Sequence, residues 1–184
     1  MKNYKKNLEL LTKNHVYSKE MEHDACGVGL IASTEGKKSR TVVEYGIEAL
    51  KAVWHRGAVD ADGKTGDGAG IHVEIPKDFF VEKIEVTGHD YDNSEICVGM
   101  IFLPRNDYSS QESCKTIVES ELTKNNFSIY GWRQVPVNPK VLGDKALQTM
   151  PEIIQVLFRS NDPNLLDKNL ERKIYETRKR IENK

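Results

Sequence analysis

A glycine-spaced apolar run that begins at Cys26 constrains this chain more than any other feature. Residues 23–32 read His-Asp-Ala-Cys-Gly-Val-Gly-Leu-Ile-Ala, and residues 1–25 before the cysteine are mostly polar, charged and weakly patterned. The near-continuous apolar character of residues 25–33 predicts a first strand that is buried on both faces. Gly27 and Gly29 have no side chains and flank Val28. A ligand or another chain could therefore approach the backbone closely on both sides of that position.

Cys26 has two interpretations. A lone cysteine is most often a small buried hydrophobic residue. Residues 1–25, however, have the character of a removable leader, and their removal would make Cys26 the first residue of the chain. Its α-amine, with a pKa of about 7.7–8.0, would be a well-matched base for a thiol whose ordinary pKa is about 8.5. Cys26 would then be a nucleophile that carries its own general base and needs no histidine.

Length and charge bound the possible functions. A chain of 184 residues, 38% hydrophobic and 30% charged, is sufficient for one globular domain. A net charge of -1 and a pI near 6.5 disfavour nucleic acid and anionic membranes as partners, since both favour a basic face. The sequence has no secretory signal and no apolar run long enough to span a bilayer. We therefore expect a cytoplasmic protein with no membrane or nucleic-acid partner.

The three cysteines show no paired spacing. Cys26, Cys97 and Cys114 leave one thiol over if any two are bridged, which favours a reducing compartment over a disulfide framework or a structural zinc site. Cys97 falls within a predicted strand and Cys114 on the apolar stripe of a predicted helix. We expect both to be inert core residues, and we expect no metal site in this chain.

Hydrophobic periodicity predicts an α+β fold. The predicted strands are residues 25–33, 69–75, 96–103, 127–132 and 153–158. The predicted helices are residues 40–56, 77–83, 109–122 and the stretch from residue 166 onward. Ser39 is the predicted N-cap of the first helix and Gly57 its stop, while Ser109 with Glu112 resembles a capping box.

The glycine-rich and acidic loop at residues 57–70 fits no cofactor motif. A phosphate loop needs four residues between its first glycine and Gly-Lys-Thr, but here Gly57 and Gly63 enclose five. Asp60 and Asp62 would also repel a phosphate. The glycine spacing fails the dinucleotide pattern, and the ligand positions fail the calcium-loop pattern. The glycines therefore indicate close backbone approach rather than cofactor binding.

Four stretches together carry a specific resemblance to a known family. Residues 23–32, 52–76, 131–137 and 170–175 are similar to the class II glutamine amidotransferase domain of the glutamate synthase large chain. The resemblance implies an N-terminal nucleophile hydrolase fold, in which two packed β-sheets are covered by helices. It implies removal of a propeptide, residues 1–25, and leaves residues 26–184 as the N-terminal portion of the domain. Cys26 would attack the side-chain amide of glutamine, ammonia would leave, and water would release glutamate from the thioester.

Arg56 is the second candidate site residue. Near the end of a predicted helix it could be no more than a cation that complements the helix dipole. The resemblance implies instead that Arg56 lies beside the nucleophile and helps to shape the glutamine pocket. The family also uses a His-x-Arg segment for the substrate carboxylate and an Asn-Gly pair for the oxyanion. Neither occurs in this sequence, so these roles are not assigned.

Because the His-x-Arg segment and the Asn-Gly pair are missing, we expect that the chain supplies only part of a catalytic domain and has little glutaminase activity alone. The implied substrate is glutamine, and the implied partner is the remaining glutamate synthase polypeptide, with a role in glutamate biosynthesis and nitrogen assimilation. The FMN, iron–sulfur cluster and NADPH or ferredoxin of the family would belong to other parts, and we expect no cofactor in this chain. The alternative is a non-catalytic relic or a short docking subunit.

Overall fold

The computed structural model describes residues 2–14 and 27–184, which divide after Gly57 into two units. The elements of the first unit are helix α1 (Lys2–Lys13), helix α2 (Arg40–Ala52) and a 3-10 turn (Trp54–Arg56). Ser39 caps α2 as predicted, because its side chain accepts a hydrogen bond from the backbone N–H of Thr41 (3.2 Å). The described residues of this unit form no strand, and none of the side chains described there is fully buried.

The second unit, residues 58–184, contains all the strands that the structure describes. The strands are β1 (Cys97–Leu103), β2 (Phe127–Gln134) and β3 (Glu152–Ser160). The helices are α3 (Lys77–Val86), α4 (Tyr108–Lys124), α5 (Asp144–Thr149) and α6 (Asp167–Glu182), and a 3-10 turn spans Pro139–Val141. The three later strand predictions and the helices predicted near residues 77, 109 and 166 are confirmed.

The strands form one antiparallel sheet in the order β1-β3-β2. Both outer strands run antiparallel to β3, so β1 and β2 are parallel to each other and are joined through helix α4. Strand β2 carries a bulge, because Ile129 pairs with Phe158 and Gly131 pairs with Leu157, leaving Tyr130 as the extra residue. The last strand in sequence is therefore the central strand of the sheet.

Helices cover both faces of the sheet. On one face α4 and α6 enclose a cluster of buried side chains: Cys97, Val118, Leu122, Phe127, Val156, Phe158 and Leu170. On the other face α3 contributes to a second cluster: Phe80, Ile84, Ile96, Tyr130 and Leu157. Because β3 lies between the two clusters, it is buried on both faces, as a central strand should be.

Cys97 is a core residue, as predicted. It is 4% exposed, and burial, followed by the charges of Glu95 and Glu171, raises the pKa of its thiol to about 12. A thiol with such a pKa is not a nucleophile at neutral pH. Cys114 on α4 is only half-buried, so the prediction of a core position is met in part.

Two predicted strands are absent from the structure. Residues 27–33 and 69–75 have no strand conformation, and the predicted burial of the first on both faces is wrong: Val28 is 94% exposed and Leu30 is 89% exposed. A strand needs a backbone partner as well as an apolar pattern, and no strand among the described residues pairs with either segment. Residues 25 and 26 of the first predicted strand lie outside the described residues.

Two helix ends differ from prediction. Helix α2 ends at Ala52, and Gly57 instead closes the following 3-10 turn by donating its N–H to the carbonyl of Trp54 (3.0 Å). The N-cap of α4 is Asp107, two residues before Ser109; its carboxylate accepts hydrogen bonds from the N–H and the hydroxyl of Ser110 (3.0 and 2.6 Å). A carboxylate satisfies a free amide and also complements the positive end of the helix dipole.

The α+β class is confirmed, whereas the predicted sandwich of two sheets is not seen in the described residues. They contain a single three-stranded sheet. A second sheet would require further strands. Residues 27–33 and 69–75, which the sequence predicts as strands, have no strand conformation and do not belong to the described sheet.

Candidate active site

The two predicted site residues belong to the first unit. Cys26 lies outside the described residues, and of Arg56 only the backbone is described. That backbone forms part of the 3-10 turn after α2, not the last turn of α2 as predicted.

Residues 58–67, which directly follow this turn in sequence, form a small closed loop that we call the 58–67 hairpin. At its open end the N–H of Ala58 donates to the carboxylate of Asp67 (2.9 Å), and the N–H of Asp67 donates to the carbonyl of Ala58 (3.2 Å). Val59 and Gly66 form an isolated bridge. Because both ends of the loop are bonded to each other, its conformation is fixed by its own residues.

Asp62 organises the tip of the 58–67 hairpin. One carboxylate oxygen accepts from the N–H groups of Thr65 (2.7 Å) and Lys64 (3.0 Å), and the other accepts from the Thr65 hydroxyl (2.5 Å). These hydrogen bonds, the one from the Thr65 hydroxyl first, hold the pKa of Asp62 well below its usual range. Both carboxylate oxygens of Asp62 therefore accept hydrogen bonds from within the loop.

The 58–67 hairpin is docked on the start of α5. Lys145 forms an ion pair with Asp60 (Nζ to Oδ2, 2.5 Å), and the N–H of Ala146 donates to the Thr65 hydroxyl (3.5 Å). The fit at Gly143 is so close that an added Cβ would overlap the Thr65 hydroxyl and lie 2.5 Å from the Thr65 nitrogen. The 58–67 hairpin is therefore attached to the start of α5 within the second unit.

Sequence reasoning missed this arrangement. It treated Asp60 and Asp62 only as charges that repel phosphate, and it gave Lys145 no role. One local signal was available, since Asp-Gly-Lys-Thr over residues 62–65 is typical of a turn in which the aspartate binds the backbone ahead of it. The pairing of Asp60 with Lys145 joins residues distant in sequence and has no local signal.

The described part of the chain contains neither a cluster of metal-ligating side chains nor a helix that could cross a membrane. There, no three His, Cys, Asp or Glu side chains are grouped as a metal ion would require. Within residues 2–14 and 27–184, no helix has the length and apolar character to cross a membrane.

The family of glutamine amidotransferases class-II matches residues 26–184, starting at Cys26 itself. This chain belongs to that family. As a class II glutamine amidotransferase it is 52% identical, over 97% of its length, to the glutamate synthase [NADPH] large chain of Azospirillum brasilense. It is 40% identical, over 88% of its length, to the ferredoxin-dependent glutamate synthase 2 of Arabidopsis thaliana. The chain spans only 12% and 10% of the lengths of these relatives.

Proposed function

We propose that this class II amidotransferase chain carries the glutamine-hydrolysing site of a glutamate synthase, with Cys26 as its nucleophile. The observation that supports the proposal most directly is the family match, which begins at Cys26. We propose further that residues 1–25 are removed, so that the α-amine of Cys26 becomes free to act as its base.

The proposed reaction uses the two groups of Cys26 in turn. The α-amine takes the thiol proton, and the sulfur attacks the side-chain carbonyl carbon of glutamine. The resulting tetrahedral intermediate collapses when the α-ammonium returns its proton to the amide nitrogen, so that ammonia leaves and a thioester remains. The amine then accepts a proton from water, the hydroxide attacks the thioester, and glutamate leaves as the thiol is restored.

Arg56 is proposed to line the glutamine pocket. A guanidinium suits this role because it can form two parallel hydrogen bonds to one carboxylate. The support for this role is the resemblance of the sequence around Arg56 to the family that the chain matches.

The proposed enzyme needs residues that this sequence lacks. The oxyanion donors and the second arginine segment would come from outside residues 1–184, together with the flavin, the cluster and the electron donor. Loss of one oxyanion donor costs about a hundred- to a thousandfold in rate, so little turnover is expected from the chain alone. We also propose that residues 27–33 and 69–75 become strands of a two-sheet sandwich when such partners are present.

The test is the intact mass of the purified chain before and after incubation with a diazo-ketone analogue of glutamine. We expect loss of residues 1–25 and one adduct, absent in Cys26→Ala but retained in Cys114→Ala, which keeps the proposed nucleophile. Arg56→Ala should slow adduct formation by raising the analogue concentration needed for half-maximal rate. A full-length mass with no adduct would contradict the proposal and favour a non-catalytic relic or docking subunit.

A further inference from the structure

Strand β1 forms an open edge of the sheet in the second unit. In the strand order β1-β3-β2 it has one neighbour, β3, and its other side has none. Within the part of the chain that the structure describes, no backbone hydrogen bond joins residues 97–103 to an element other than β3. Such an edge presents a row of N–H and C=O groups that can pair with a strand of another chain.

The edge of β1 lacks the features by which proteins commonly protect an open edge. Its sequence, Cys-Val-Gly-Met-Ile-Phe-Leu, contains no charge and no proline, and its register with β3 is unbroken by a bulge. The other outer strand, β2, has a bulge at Tyr130 and carries Arg133. Of the two outer strands, β1 is therefore the one suited to pairing with a further strand.

Apolar side chains beside this edge are exposed as well. Met100 is 46% exposed and Phe102 is 63% exposed. Both lie on the same face of β1 as Val98, because alternate residues of a strand share a face, and Val98 packs against the cluster under α3. A strand added at this edge would bring further side chains against Met100 and Phe102 and remove apolar surface from water.

The sequence of β1 is complementary to itself. When two copies of β1 pair antiparallel about a two-fold axis at Met100, Phe102 of one copy lies opposite Val98 of the other. Gly99 lies opposite Ile101 in the same register, so no large side chains clash on that face. Every pair within the strand is apolar, and no like charges face each other.

Charges on the two sides of β1 select this register. It places Glu95, before the strand, opposite Arg105 of the second copy, and the two-fold axis repeats this pair of opposite charges. Both side chains are exposed, and among the described residues no hydrogen bond or ion pair engages either of them. A shift of the register by two residues would place Glu95 opposite Leu103 or Asp107 instead.

We propose that this chain forms a homodimer in which β1 pairs antiparallel with β1 of a second copy, about a two-fold axis at Met100. The two three-stranded sheets then become one sheet of six strands. The self-complementary apolar edge supplies the main contact, and the two pairs of Glu95 and Arg105 fix the register. The inference does not rest on the reaction proposed for Cys26, because it uses other residues.

Sedimentation velocity of the full chain over a range of concentrations, with a reductant present to exclude disulfides, tests the proposal. We expect a monomer–dimer equilibrium with a dissociation constant on the order of 1–100 μM, since one strand pair makes a small interface. Met100→Lys places two cations opposite each other at the axis and should weaken the dimer at least tenfold. Val86→Lys, at an apolar position of α3 that is 80% exposed, is the matched control and should leave the dimer unchanged. Thermal unfolding checks that both variants are folded.

Charge reversal tests the register. Glu95→Arg and Arg105→Glu should each weaken the dimer about tenfold, because each change turns two attractive pairs into repulsive ones. The double variant, with both charges reversed, should recover the affinity of the unmodified chain. A double variant as weak as the single variants would overturn the proposed pairing.

Three other outcomes would overturn the homodimer itself. The first is a chain that stays monomeric at concentrations up to about 0.5 mM, well above the expected dissociation constant. The second is a dimer that Met100→Lys leaves unchanged, which would place the contact elsewhere. The third is growth into larger assemblies, because a two-fold contact between identical edges closes after two copies.

Discussion

Two stretches of the second unit are both predicted to be strands, but only one forms a strand. Residues 97–103, a continuous apolar run, form β1, where Cys97 and Leu103 are almost completely buried. In residues 69–75 apolar and polar side chains alternate, yet Ile71, Val73 and Ile75 stay 46%, 45% and 41% exposed, and no strand forms. The difference is β3, which pairs with β1 along its whole length. An apolar pattern predicts a strand, but the strand forms only when a neighbouring strand offers free backbone N–H and C=O groups for pairing.

Hydrogen exchange offers the widest contrast between these stretches. The amides of Val156 and Leu157, in the centre of β3, should exchange at least about a thousandfold more slowly than those of Ile71 and Val73, because core amides open only on global unfolding. Two-dimensional NMR in deuterated buffer would measure both sets in one sample. Comparable protection in the two sets would mean that residues 69–75 have found a partner in solution.

Truncation of apolar side chains should give the next largest difference. Leu157 is fully buried between the sheet and α3, so Leu157→Ala should lower the free energy of unfolding by about 2–5 kcal/mol. Val73→Ala, at a half-exposed position, should change it by less than about 0.5 kcal/mol. Urea denaturation followed by circular dichroism compares the two variants. Equal losses would refute the claim that the apolar side chains of residues 69–75 contribute little to stability.

The docking of the 58–67 hairpin on α5 is the third point of comparison, because this loop is bound to α5 by an ion pair and a hydrogen bond. Gly143→Ala should destabilise the second unit by about 1–3 kcal/mol, since the new methyl group meets Thr65 backbone. Gly68→Ala is the matched control: no atom lies within 4 Å of its Cβ position. It should change stability by less than about 1 kcal/mol. Thermal unfolding at a single pH suffices.

A pH-dependent contact should give the smallest effect. The Tyr130 hydroxyl donates to Asp92 (2.6 Å), and Arg159 lies 2.9 Å from the other oxygen of the same carboxylate. Burial alone would raise the pKa of Asp92, but the hydrogen bonds from Tyr130 and Ser94 and the charge of Arg159 outweigh it and lower the pKa. The stabilisation is therefore complete above the unfolded pKa, about 3.9, and is lost as pH falls through the lower folded value.

Tyr130→Phe should accordingly cost about 0.5–1.5 kcal/mol at neutral pH and progressively less in acid. The measurement is the difference in urea midpoint between wild type and variant from pH 7 downward. Tyr175→Phe, on the exposed side of α6, should show no such trend. A cost that is independent of pH would show that the contact with the Asp92 carboxylate is not responsible.

Sequence alone predicted the well-packed part of the fold because local signals and tertiary partners agree there. Short apolar runs located β1, β2 and β3 to within two residues at each end. The same reasoning failed at residues 27–33 and 69–75, since pairing is decided by other parts of a fold and not by the segment itself. The cap at Asp107 was missed because Ser109 and Glu112 fit an equally good local pattern. The polar segment before Cys26 pointed to Cys26 as a nucleophile, the family resemblance added Arg56, and the roles of both residues stay predictions.

The place of β3 in the sheet has a consequence for biosynthesis. The strand that separates β1 from β2 is the last of the three to leave the ribosome. Until residue 160 has emerged, β1 and β2 have unpaired backbone edges, and the apolar side chains of Leu103 and Phe127, which are buried in the complete fold, have no central strand to pack against. Chains in which distant strands pair late fold slowly, and their folding intermediates expose apolar surface that promotes aggregation. Nascent chains that stop before β3 should therefore be the ones that engage chaperones.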